Sequence, residues 1–352
     1  MIKLLIVDDS ALMRRHLRML FEAEGDFEIK TARNGKEAIE ENINFQPDVI
    51  TLDINMPVMD GLTALSMIMA QRPVPVVMVS SLTEKGALAT FEALNLGAVD
   101  YVAKPEGTIS LSIDKIHEEL ISKVRAAVEA KLKKPVGFHR IEEKISHRKI
   151  LKSHTPSRKV VTEGLVLIGV STGGPRTLEE VLRELPADYP FPILVAQHMP
   201  KSFTRHFSER LDSICAMSVL EVNAPVPAEP GKIYIARGGG DMVVTRRSGK
   251  LILIPKPEDP AFLWHPSVEV LGRSAIMQYE PSKVIGVMLT GMGHDGADAF
   301  TEIKKLGGRT IAESEESAVV FGMPAELIRR GGATLVLPAE KIAKQLVKWA
   351  EE

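Results

Sequence analysis

Short, largely apolar segments recur along this chain, and nearly all of them end at a polar residue. In the first third they cover 3–7, 48–52, 74–79 and 99–103, with a less regular stretch at 27–32. Between them, 11–21 and 36–44 space their apolar residues at the helical period, and Ser10 stands where an N-cap belongs. Strands buried on both faces read as continuous apolar runs. Their alternation with helices predicts a parallel sheet whose ligand site lies at the carboxyl ends of the strands. Beyond residue 160 the alternation resumes, with strand-like runs at 165–170, 193–196, 232–236, 284–289, 309–312 and 334–337. Helical patterns at 178–185, 268–279 and 297–305 intervene. The predicted fold class is therefore α/β, with two doubly wound parallel-sheet domains.

Between these halves the periodicity lapses and the charge changes. Lys131 to Lys159 carries ten Lys and Arg against Glu142 and Glu143, a net of +8 in a 352-residue chain whose formal charge is −2. So basic a stretch, with few large apolar residues, cannot bury much and reads as an interdomain linker. The competing reading is a nucleic-acid-binding arm. Phe138 is the only aromatic in it, and the overall charge offers no attraction for phosphate backbones, so no nucleic-acid partner is expected. The single cysteine, Cys215, excludes an internal disulfide and, with no glycine turn beside it, reads as a packed thiol. No 18-residue uncharged apolar run occurs, and the N-terminus opens as a strand rather than a leader. A cytoplasmic protein without direct membrane insertion is expected.

In the first half the polar residues gather at the predicted strand ends. Asp8 and Asp9 follow the first strand, Asp53 the third, Ser80 the fourth and Lys104 the fifth. Three carboxylates on one rim repel one another unless a hard cation lies among them, and oxygen donors suit Mg²⁺. A lysine and a hydroxyl beside them complete a pocket for a phosphoryl group. With its VDDS, TLDINMPVMDG, VVMVSS and DYVAKP segments, this half resembles the receiver domain of two-component response regulators, a flavodoxin-like fold. The resemblance implies that a histidine kinase phosphorylates Asp53 with Mg²⁺ held by Asp8, Asp9, Asp53 and the Asn55 carbonyl. It further implies that Ser80, Tyr101 and Lys104 form the switch, and that the Lys104–Pro105 bond is of a kind often cis.

The second half opens with LVLIGVSTGGP over residues 165–175. An apolar strand followed by glycines and Pro175 places Ser171 on a strand-to-helix turn, its hydroxyl beside unpaired helix N–H groups. Gly169 to Gly173 fits the G-x-S-x-G pattern of nucleophile elbows, although a phosphate-cradling turn fits as well. A nucleophilic serine needs a base and an acid that orients it. His198 ends the run beginning at Ile193, on the same rim, and Asp295 lies in the glycine-rich turn after the run 284–289. His206 falls on a predicted helix, His265 in a loop and His294 beside Asp295. Ser171, His198 and Asp295 are therefore the candidate triad.

GVSTGGP, AQHMP, GKIYIA, HPSVEVL, LTGMGHDGA and IAESEESAVVFGMP, in that order, resemble the effector domain of the chemotaxis protein-glutamate methylesterases, a Rossmann-like domain. The resemblance implies domains at 1–130 (receiver) and 161–352 (catalytic), joined by a linker at 131–160. It assigns Ser171 as nucleophile, His198 as base then acid, and Asp295 as its orienting group. It adds Met292 as an oxyanion donor through its backbone N–H and Thr172 as a hydrogen-bonding neighbour of the histidine. The implied substrates are glutamyl methyl esters of chemoreceptors, with glutamine deamidation by the same acyl-enzyme route. No cofactor is implied for the ester chemistry, and the unphosphorylated receiver is expected to restrain it. Arg237, Asp241, Trp264, His265 and Glu313 depart from the family pattern, and these departures are expected to leave the triad untouched. A nucleotide-binding module at GVSTGG is the rival reading, but Ser171 occupies the place of the second fingerprint glycine, and a fluorophosphonate probe discriminates the two. A vestigial triad is disfavoured by the presence of all three residues.

Overall fold

The structure is a computed structural model that describes residues 1–80, 84–104, 113–132 and 163–352. Most of the expected linker, Pro105 and the side chain of Ser80 lie outside the described residues. The chain divides into two compact units, residues 1–136 and 137–352.

The first unit is a five-stranded parallel sheet. Its strands are β1 (Ile2–Val7), β2 (Phe27–Ala32), β3 (Val49–Asp53), β4 (Val76–Ser80) and β5 (Asp100–Ala103), in the order β2-β1-β3-β4-β5. This is the flavodoxin-like doubly wound order. Helices α1 (Ala11–Glu24), α2 (Gly35–Asn44), α3 (Gly61–Gln71), α4 (Glu84–Leu96) and α5 (Ile113–Val128) alternate with the strands. Ser10 caps α1 by accepting from the Met13 N–H, as its position predicts. The strands are nearly solid core: Leu4, Leu5, Ile6, Ile50 and Leu52 are fully buried.

In the second unit a seven-stranded parallel sheet runs β15-β14-β13-β6-β7-β10-β8. Its strands are β6 (Leu165–Val170), β7 (Ile193–Gln197), β8 (Ser218–Val222), β10 (Lys232–Ala236), β13 (Val284–Met288), β14 (Arg309–Glu313) and β15 (Leu335–Leu337). Helices α6 (Gly174–Leu182), α7 (Lys201–Ile214), α8 (Val268–Gln278), α9 (Ala297–Lys305), α10 (Met323–Arg329) and α11 (Ala339–Glu351) complete it. The chain leaves β6 for β7 on one side and later returns to β6's other edge as β13. The carboxyl end of β6 is thus the switch point at which parallel sheets bind ligands.

Two features differ from the sequence reading. A small antiparallel sheet of β9 (Val226–Pro227), β11 (Asp241–Arg247) and β12 (Lys250–Lys256) interrupts the parallel pattern. Strand β8 alternates buried and exposed residues, as an edge strand with one face in solvent does, and therefore lacks the continuous apolar run of its neighbours.

Candidate active site

Ser171 leaves the end of β6 on a turn that only a few residues can build. Gly173 adopts φ +76°, and a Cβ there would fall 2.5 Å from Val319. The serine backbone is pinned on every side. Its N–H donates to the Thr290 carbonyl (3.0 Å), and its carbonyl accepts from the Gly174 N–H (2.8 Å) and Gln197 Nε2 (3.1 Å). The turn after β13 packs directly against it, since a Cβ on Gly291 would sit 2.7 Å from the serine Cβ. Met292 is the next residue in that turn. Thr172 is buried and joins the same turn through its carbonyl, which accepts from Thr290 Oγ1 (2.9 Å). The threonine thus ties the serine turn to the turn after β13 through its backbone.

His198 follows β7, whose register beside β6 pairs Val170 with Gln197, and its N–H donates to the Val170 carbonyl (3.1 Å). Adjacent parallel strands thus deliver serine and histidine to one rim. The ring's Nε2 lies 2.8 Å from Asp295 Oδ2, and its Nδ1 is buried without a hydrogen-bond partner. That geometry assigns Nε2 to the acid and leaves Nδ1 as the nitrogen able to take a proton.

Asp295 is 5% exposed and sits over the N-terminus of α8. It accepts from the Val268 N–H (2.6 Å), the Glu269 N–H (3.0 Å) and Ser267 Oγ (3.0 Å), as well as from His198. Burial alone would push its carboxyl up. His198 and the two helix-end N–H donors outweigh that and hold it below the usual carboxylate range. A charged acid is therefore available to balance a positive imidazole.

Three further residues shape the site without having been singled out for it. Ser267 caps α8 by accepting from the Val270 N–H while donating to Asp295. Glu313, fully buried at the end of β14, accepts from the Thr290 N–H (2.8 Å) and so braces the turn against Ser171. Trp264 lies parallel to the His198 ring, centroids 6.0 Å apart, and meets His294 edge-on at 5.2 Å. The expectation that the departures from the family pattern leave the triad untouched is thus wrong for Trp264. Its signal, an aromatic two residues before the Pro266-Ser267 start of a helix, has no fixed meaning without the fold. His206 pairs instead with Glu209 on α7, away from this chemistry (3.4 Å), and Cys215 is buried as a packed thiol.

The first unit carries a separate cluster at its own strand ends. One carboxylate oxygen from each of Asp8, Asp9 and Asp53 lies within 4.8 Å of the others. Lys104 Nζ lies 2.9 Å from Asp8 and 2.8 Å from Asp53. Burial pushes the Asp53 carboxyl up, with Asp8 adding to it, against the pull of Lys104. The two carboxylates conversely overcome burial at Lys104 and raise its ammonium. A donor set made wholly of carboxylate oxygens fits a hard divalent cation such as Mg²⁺. Asn55 is exposed just past Asp53, and Ser80 ends β4 opposite Ala103. The Tyr101 ring is buried, with Lys123 Nζ 5.0 Å from its centroid and 2.7 Å from its carbonyl oxygen.

Two family descriptions match the sequence: response regulator receiver domain over residues 4–115, and CheB methylesterase over residues 166–346. A protein-glutamate methylesterase/protein-glutamine glutaminase of Rhodospirillum rubrum is 54% identical, covering 99% of this chain and 96% of its own length. A protein of the same name from Caldanaerobacter subterraneus is 50% identical, covering 100% and 97%. The CheB methylesterase catalytic domain of Thermotoga maritima, a solved structure, is 40% identical with a TM-score of 0.52 and covers 54% of this chain and 100% of its own.

Proposed function

The chain belongs to the CheB methylesterase family, in the form that also carries a response regulator receiver domain, and from that premise we propose that it demethylates glutamyl esters on chemoreceptors by Ser171-based acyl transfer under control of Asp53 phosphorylation. As a protein-glutamate methylesterase it releases methanol and leaves glutamate. As a protein-glutamine glutaminase it converts receptor glutamine to glutamate by the same route, adjusting receptors during sensory adaptation in chemotaxis. The observation that carries the reading is the His198–Asp295 pair at 2.8 Å, with the other ring nitrogen buried and unpartnered on the rim that bears Ser171.

Ser171 Oγ attacks the ester carbonyl carbon as its proton passes to His198 Nδ1. Catalytic hydrogen bonds commonly close only when substrate arrives, so an unpartnered Nδ1 suits the free enzyme. Asp295 balances the imidazolium through Nε2 and fixes the ring plane. The Met292 N–H receives the developing oxyanion, and in other enzymes losing one such donor costs about 3 kcal/mol or more. Collapse expels the methoxy group, protonated by His198 as methanol, and leaves a glutamyl ester on Ser171. Water, deprotonated by His198, attacks that ester; Ser171 regains its proton and glutamate departs.

In the receiver, a chemotaxis histidine kinase is the phosphoryl donor and Asp53 Oδ the acceptor. Asp8, Asp9, Asp53 and the Asn55 carbonyl would hold Mg²⁺, which when bound screens the charge of the incoming phosphoryl group. Lys104 pairs with the phosphoryl oxygens, and Ser80 and Tyr101 report the change. The catalytic domain starts near residue 161, the receiver ends near 130 and the basic segment 131–160 links them. No helix among the described residues is long and apolar enough to cross a membrane.

Methanol release from methylated receptor fragments, with and without acetyl phosphate, tests the reading. Release that depends on Ser171 and rises with the phosphoryl donor is expected. A chain that frees no methanol in either state would overturn it.

A further inference from the structure

Behind the triad lies a second histidine–aspartate pair. Asp241, the first residue of β11 and 3% exposed, accepts three hydrogen bonds from one loop. His265 Nδ1 lies 2.9 Å from its Oδ1, the Ser267 N–H donates to the same oxygen (2.7 Å), and the Asp259 N–H reaches Oδ2 (3.2 Å). The other nitrogen of His265 faces the Phe262 carbonyl at 3.2 Å, so this ring braces the loop internally as well. The loop so held carries both outer contacts of the triad: Trp264 on the face of His198, and Ser267 on Asp295. Strand β11 is itself fixed to α8, where the Val244 N–H donates to Ser274 Oγ (2.9 Å).

Resting on the hydrolase reading, we propose that Asp241 and His265 are positioning residues of the ester-hydrolysing site, a clamp that sets the 259–267 loop so that Trp264 fixes the His198 ring and Ser267 fixes Asp295. Neither residue touches the serine. They act through the loop, and rigid support of this kind separates a constellation that is present from one that is productive. Asp295 cannot hold the imidazole plane alone, because one hydrogen bond at Nε2 still permits rotation about it. An indole parallel to the ring restricts that freedom. Three of the departures from the family pattern, Asp241, Trp264 and His265, thus belong to a single contact chain.

The test uses the full chain with Trp349→Phe, which leaves Trp264 as the one tryptophan. Two quantities are read: Trp264 emission, and the saturating rate at which a fluorophosphonate modifies Ser171. In Asp241→Ala and in His265→Ala, emission should brighten and shift to the red as the indole leaves the imidazole for water. The saturating rate should fall at least about tenfold, with the half-saturating concentration changed less than about twofold. Asp241→Asn keeps an oxygen for Ser267 and His265, so it should fall between these and the parent. Should Asp241→Ala melt at room temperature, His265→Ala and Asp241→Asn carry the test. Parental emission and rate in those variants overturn the clamp, as does slower labelling with unmoved emission. A parent that is never labelled indicts the hydrolase reading instead, and Trp264 emission still judges the clamp.

Discussion

His198 offers its Nε2 to Asp295 and keeps Nδ1 free of partners, so the order of severity among single substitutions follows from the ring. Ser171→Ala should retain less than about a hundredth of wild-type methanol release while melting normally, since only a small hydroxyl is lost. His198→Ala should be nearly as damaging and His294→Ala mild. Equal losses for the two histidines would overturn His198 as the base. Asp295 is held below the usual carboxylate range, so its native interactions stabilise the fold above the unfolded carboxyl's pKa. They are lost only as pH falls through the lower folded value. Asp295→Asn should therefore lower the melting temperature at neutral pH, with the gap closing below about pH 4, which melting curves across pH check. Ser171, His198 and Asp295 were legible in the sequence because each follows an apolar run, and parallel strands bring such positions to one rim. Ser267 and Trp264 were not, because their partners Asp295 and His198 are distant in sequence and no periodicity constrains a loop.

Elements explain why isolated residues acquire their properties here. The first turn of α8 supplies two backbone donors to Asp295, so the acid is sustained by a helix end as much as by its histidine. The strand ends of the receiver do the reverse to Asp53, where burial and Asp8 raise the carboxyl against Lys104. A raised carboxylate costs stability above the unfolded pKa, and that cost disappears once acid protonates it. Without Mg²⁺, Asp53→Asn should accordingly raise the receiver's melting temperature at neutral pH and have little effect near pH 3; a lower neutral melting temperature would contradict the sign. Most strands read from sequence follow apolar runs, with β2 read on a less regular stretch. The β11–β12 hairpin escaped, although Ser248-Gly249 at its tip, both at positive φ, is a recognised turn signal. Strand β8 alternates buried and exposed residues, a weaker mark than a buried run, and was missed for that reason.

At the scale of the whole molecule, the receiver and hydrolase are separate compact units, so regulation must be written in rates measured on the entire chain. The segment 160–352 should release methanol faster than the unphosphorylated full chain, and Asp53→Asn should leave the full chain unresponsive to acetyl phosphate. A truncated segment no faster than the full chain would replace restraint by direct stimulation. The order of strands in the larger sheet has a consequence of another kind. Strand β6 is flanked by β7 and by β13, and the turn after β13 is itself tied to residues 320–323, where Gly291 donates to Val320 and accepts from Gly322 and Met323. A ribosome has therefore finished the serine and the histidine long before the acid, the bracing turn or α10 exists. From residue 171 until Asp295 and the turn beside it are made, the emerging polypeptide carries a nucleophile it cannot use, and ester-cleaving power arrives only in the last part of the message. Chains stalled at residue 283 should stay unmarked by a fluorophosphonate, and the cell never holds a half-made hydrolase that is already cutting.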